Sequence, residues 1–134
     1  MRSLKGWVMA GKKRILIIDD EESFGWFLKL NLEEGGVYEV RFETRGEAGI
    51  KAADEFKPDL ILLDIAMPGL DGYQTSAQLR SKPSTQGINI LFLTGKDLLP
   101  HKIAEHCEDI GQCDFINKPF MLDSLLKKIA ELIK

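Results

Sequence analysis

The chain has 134 residues, 44% hydrophobic and 29% charged, with a formal net charge of −3. That is about the length of one globular domain, so we expect a stand-alone unit with no separate output module. The mild acidity excludes the broad basic field used for direct nucleic-acid binding, and no apolar run approaches the ~20 residues of a membrane-spanning helix.

The chain opens with Arg2 and Lys5 before a short apolar stretch, Trp7 to Ala10, too brief for the hydrophobic region of a signal peptide. We expect residues 1–11 to be an N-terminal extension, with 1–8 an expression remnant or a dispensable arm, and residues 12–134 to be the folded domain. Ile15, Leu16, Ile17 and Ile18 then form an unbroken apolar run. Runs of this kind mark strands buried on both faces of a parallel sheet. Phe24, Phe27, Leu28 and Leu32 follow at helical spacing, and Gly35-Gly36 supply a stop. Trp26 and Leu30 lie off that stripe, which predicts partial burial or a docking patch.

Residues 37–42 alternate instead, with Tyr38, Val40 and Phe42 on one face and Glu39 and Arg41 on the other. Alternation suits an edge strand. A helix is expected over residues 46–56, ending before Pro58, and Leu60, Ile61, Leu62 and Leu63 form a second unbroken strand. The next helix should begin near Asp71-Gly72 and end about Arg80, before a loop at residues 81–87. A third buried strand fits residues 88–93, and a helix follows Pro100. A short strand fits residues 113–117, and Leu122, Leu125, Leu126, Ile129, Leu132 and Ile133 form one apolar stripe on a last helix. Cys107 and Cys113 form no CxxC pattern and read as reduced thiols, which places the protein in the cytoplasm. His101 and His106 point about 140° apart on a helix and cannot share a metal.

Five strands alternating with five helices predict an α/β doubly wound parallel sheet, because crossovers are right-handed. With the alternating strand at an edge, the order 2-1-3-4-5, flavodoxin-like, fits best, and ligands then lie at the carboxyl ends of the strands. There the sequence places Asp19-Asp20, Asp64, Thr94 and Lys118. Three carboxylates gathered at one rim would repel by about 4 kcal/mol per close pair at intermediate dielectric. A divalent cation would compensate, and a set of hard oxygens without histidine or thiolate favours Mg²⁺ or Mn²⁺. A carboxylate left free can attack phosphorus to give an aspartyl phosphate, and Asp64 stands at the tip of the central strand.

Taken in order, Asp19-Asp20, Asp64-Ile65-Ala66-Met67-Pro68-Gly69, Thr94 and Lys118-Pro119-Phe120 resemble the signature of bacterial response-regulator receiver domains of two-component systems, from about residue 12 to the end of the chain. The resemblance implies that Asp64 is the phosphoacceptor and that Asp20, Asp64 and the Ala66 backbone carbonyl hold Mg²⁺, with Asp19 acting through water. It further implies that Lys118 pairs with the phosphoryl oxygens, that Thr94 moves onto the attached group, that Phe115 is the switching aromatic, and that the Lys118–Pro119 bond is cis. Implied partners are a sensor histidine kinase or a histidine phosphotransfer domain, and a protein target that reads the fourth helix, fifth strand and fifth helix. For this chain we expect a monomer or a phosphorylation-dependent dimer, no direct contact with nucleic acid or membrane, and no turnover of a separate substrate.

Ala66 and Lys96 occupy the positions that tune phosphoryl lifetime in receivers, and neither can orient an attacking water. Slow self-dephosphorylation is therefore expected. Gly95 stands after Thr94 where alanine is commoner, and Met121 opens the last helix without a capping side chain. Asp19-Asp20 taken alone would read as a turn or a helix cap, and Phe115 alone as core; the ordered set reverses those readings. A phosphorelay intermediate and a phosphorylation-independent adaptor remain alternatives. A flavin-binding protein of similar topology would need a Ser/Thr/Gly-rich loop where Asp20-Glu21-Glu22 stands.

Overall fold

A computed structural model describes residues 11–95 and 114–133. The expected helix after Pro100, the expectations for Lys96, His101, His106, Cys107 and Cys113, and residues 1–10 lie outside the described residues. In chain order the described elements are β1 (Lys13–Ile18), α1 (Glu22–Glu34), β2 (Tyr38–Glu43), α2 (Gly46–Phe56), β3 (Leu60–Asp64), α3 (Gly72–Ser81), β4 (Asn89–Thr94), β5 (Asp114–Asn117) and α4 (Leu122–Leu132). The five strands form one sheet in the order β2-β1-β3-β4-β5, and every neighbouring pair is parallel. No described helix is long and apolar enough to cross a membrane.

Side chains alternate along each strand, so an apolar run feeds two cores at once. Ile15, Ile17, Leu60, Leu62, Leu91 and Leu93 face α1 and α4, where Leu28, Leu32, Leu125 and Ile129 meet them. Leu16, Ile18, Ile61, Leu63, Ile90 and Phe92 face the other way, against Ala52 and Ala53 of α2 and Leu79 of α3. Each fully buried Leu or Ile contributes roughly 2 kcal/mol of transfer free energy. β3 is buried along its whole length, as a central strand must be.

One sequence expectation is corrected. Phe27 does not join the buried stripe of α1: it is 52% exposed, and the helix buries Gly25, Leu28 and Leu32 instead. The reason is Gly25, where an added Cβ would sit 2.0 Å from the Phe42 ring. The ring of the edge strand occupies the space a side chain would need, so α1 turns its glycine inward and Phe27 outward. Trp26 and Leu30, expected off the main stripe, are 51% and 65% exposed.

α1 covers the outer edge of β2 at Val40. Val40 N–H donates to Glu33 Oε2 at 3.0 Å, Lys29 Nζ donates to the Val40 carbonyl at 2.8 Å, and Lys29 also bonds Glu33 at 3.0 Å. Outward backbone groups of an edge strand invite pairing with another chain, and here two side chains occupy them. Burial alone would raise the Glu33 carboxyl, yet Lys29 and the Val40 N–H outweigh it and hold the group below the usual carboxylate range.

Candidate functional site

Four strands deliver polar residues to their carboxyl ends. β1 runs into Asp19, which is fully buried, and Asp19 Oδ1 accepts from Glu21 N–H at 2.9 Å, so this side chain also ties the turn before α1. Asp20 is exposed beside it. β3 ends on Asp64, 6% exposed, and its loop is folded back by Gly72 N–H donating to the Ile65 carbonyl at 2.8 Å. A Cβ on Gly72 would lie 2.5 Å from the Asp64 carbonyl oxygen and 2.6 Å from the Ile65 Cα. Only glycine lets α3 start so close to the acidic residue's own backbone. Asp71 then caps α3, accepting from Gln74 N–H at 2.8 Å while Gln74 Oε1 accepts from Asp71 N–H. Gly69, at φ 75°, completes the Met67-Pro68-Gly69 turn, and Ala66 lies exposed in the same loop.

Carboxylate oxygens of Asp19, Asp20 and Asp64 lie within 4.8 Å of one another. Lys118 reaches them from the far end of the sheet, with Nζ 2.7 Å from Asp19 Oδ2 and 3.7 Å from Asp64 Oδ1. The Lys118–Pro119 peptide is cis, and Lys118 N–H donates to the Thr94 carbonyl at 2.6 Å. Burial foremost, then the Asp19 charge and the contact with Asp20, push the Asp64 carboxyl up to about 7, against the opposing pull of Lys118. Three hard oxygens and a carboxyl that resists ionisation fit a small divalent cation, whose charge would favour the ionised form of all three.

The structure therefore brings Asp19, Asp20, Asp64 and Lys118 together. Thr94 is fully buried at the end of β4, but its hydroxyl is engaged elsewhere: it donates to Asn117 Oδ1 at 2.5 Å, with the Ile116 carbonyl at 3.4 Å. Phe115 on β5 is 44% exposed. Sequence reasoning overlooked two neighbours of the site. Asn117 meets Thr94 only through the β4–β5 register, which no single-strand pattern announces. Phe24 reads as one more apolar residue of α1, yet its ring lies under Lys118 Nζ at 4.4 Å and packs edge-on against Phe120, centroids 5.8 Å apart.

A parallel 2-1-3-4-5 sheet with an acidic pocket and a lysine at its carboxyl rim defines a class of phosphoryl-accepting signalling domains, and comparison with known proteins agrees. Residues 15–130 match the response regulator receiver domain, and the chain belongs to that family. It is 42% identical over 122 residues to the alkaline phosphatase synthesis transcriptional regulatory protein PhoP of Bacillus subtilis, covering 91% of this chain and 49% of PhoP. It is 36% identical over 120 residues to protein PilH of Pseudomonas aeruginosa, covering 90% of this chain and 97% of PilH. The chain thus spans about half the length of several curated relatives it matches. Among solved structures, the receiver domain of the Pseudomonas aeruginosa sensor histidine kinase PA1611, with a magnesium ion coordinated in its active-site cleft, superposes with a TM-score of 0.79 at 26% identity, covering 91% of this chain and 98% of that one. Members of this family are signalling phosphoacceptors of two-component systems that bind Mg²⁺ at an acidic pocket and work with histidine kinases or phosphotransfer proteins.

Proposed function

We propose that the chain acts as a response-regulator receiver, with residues 12–134 forming the receiver and 1–11 an extension, which takes a phosphoryl group on Asp64 from a histidine kinase or a phosphotransfer protein in the cytoplasm. The observation that carries this reading is the convergence of Asp19, Asp20 and Asp64 oxygens within 4.8 Å, with Lys118 alongside. Asp20, Asp64 and the Ala66 carbonyl would hold Mg²⁺ or Mn²⁺, with Asp19 reaching it through water. Such an ion would supply charge neutralisation for the phosphoryl oxygens and keep Asp64 ionised at neutral pH.

In the transfer, an Asp64 oxygen forms the bond to phosphorus as the donor's P–N bond breaks, and the imidazole leaves with the electron pair. Lys118 brings its ammonium to the phosphoryl oxygens, a charge-assisted contact. Thr94 must give up its bond to Asn117 to donate to the same group. That movement makes room near β5 and lets the exposed Phe115 ring turn inward, presenting a changed protein-binding face to a downstream target.

Beryllofluoride, which mimics an acyl phosphate, tests the reading. With Mg²⁺ present, ¹⁹F NMR should show a bound signal that disappears on Asp64→Ala substitution or on chelation of the metal. A bound signal that survives Asp64→Ala would place the acceptor elsewhere and overturn it.

A further inference from the structure

The Lys118 ammonium lies 2.7 Å from Asp19 Oδ2, 3.7 Å from Asp64 Oδ1 and 4.4 Å from the centroid of the Phe24 ring. Two of the three are carboxylates whose oxygens a divalent cation would also claim. The ring is the contact a metal cannot take. An aromatic face attracts an ammonium through its quadrupole, most strongly where water is partly excluded, and the Lys118 side chain is only 21% exposed. The ring itself is fixed, since Phe24 is part-buried on α1 and meets Phe120 edge-on at an interplanar angle of 69°. Phe120 lies two residues beyond Lys118, so α1 and the segment after β5 are clipped together beside the ammonium.

We infer that Phe24 is a positioning residue for phosphoryl transfer, holding the Lys118 ammonium at the acidic rim when a divalent cation has displaced it from the Asp19 and Asp64 carboxylates. The inference rests on the receiver reading and adds to it a residue on α1 that touches no reacting atom. Without the ring, Lys118 would be free to swing into solvent once the metal binds. The carboxylate cluster would still form, and metal affinity would be kept while transfer slowed.

The test compares Phe24→Leu, which keeps apolar bulk, with Phe24→Tyr, which keeps an aromatic face, in the full chain with Mg²⁺ and acetyl phosphate as the donor. Phe24→Leu should slow phosphorylation by about tenfold, the scale of a part-buried cation–π contact. Phe24→Tyr should restore the parental rate, and the Mg²⁺ dissociation constant should be unchanged in both. In the Mg²⁺-loaded parent, ring currents should shift the Lys118 Cε protons upfield by NMR, an effect that Phe24→Leu abolishes. A parental rate in Phe24→Leu, equal losses in both variants, or no upfield shift in the Mg²⁺-loaded parent would each overturn the inference. Failure of the parent itself to take up phosphoryl while that shift is present would sink the receiver reading and the assigned role with it.

Discussion

Burial and the neighbouring Asp19 charge push the Asp64 carboxyl above the ordinary aspartate range, and its behaviour is open to direct test. Its carboxyl stands at about 7 in the folded, metal-free chain, against an ordinary aspartate value near 3.9 in an unfolded one. Between those values the folded state keeps a proton that the unfolded state has released, so this group's contribution is fully present below about pH 4 and lost as pH rises through about 7. Urea midpoints of metal-free protein should therefore fall from pH 5 to pH 8 more steeply than those of Asp64→Asn. Equal slopes would contradict the assignment. Ala66, exposed two residues on, should govern how long the phosphoryl group lasts. An amide there can orient water, so Ala66→Asn should speed acyl-phosphate decay several-fold, measured as loss of label after donor removal.

At the scale of elements, close backbone approach and edge closure explain features that apolar patterning misses. Gly72 lets α3 begin against the Asp64 and Ile65 backbone, so Gly72→Ala should cost about 1–3 kcal/mol by forcing that backbone aside. Chemical denaturation measures this, and a loss below half a kcal/mol would count against the packing described. On β2, the Val40 amide is held by Glu33. Glu33→Ala should strip its protection from hydrogen exchange while β1 amides keep theirs. The ends of β1 and β3 were legible in the sequence because buried parallel strands read as unbroken apolar runs and Asp19 and Asp64 break those runs abruptly. Phe27 was misplaced because the residue that turns α1, Gly25, has no side chain for a periodicity to register. Asn117 and Phe24 stayed hidden for a different reason: their partners, Thr94 and Lys118, are distant along the chain and meet them only through strand register and helix packing.

Across the whole molecule, two apolar cores brace a sheet whose rim collects like charges that the fold alone does not neutralise. The rim is stabilised by whatever binds there, so Mg²⁺ should raise the unfolding midpoint, and should go on raising it with the logarithm of its concentration once the site is saturated. Phosphoryl transfer to Asp64 is tested by trapping the phosphorylated species chemically. After incubation with Mg²⁺ and acetyl phosphate, borohydride reduction converts an aspartyl phosphate to homoserine, and peptide mass spectrometry locates it. Homoserine is expected at position 64, dependent on Mg²⁺. Homoserine at position 19 or 20 instead, or an unmodified aspartate at 64 after uptake of phosphate, would contradict it.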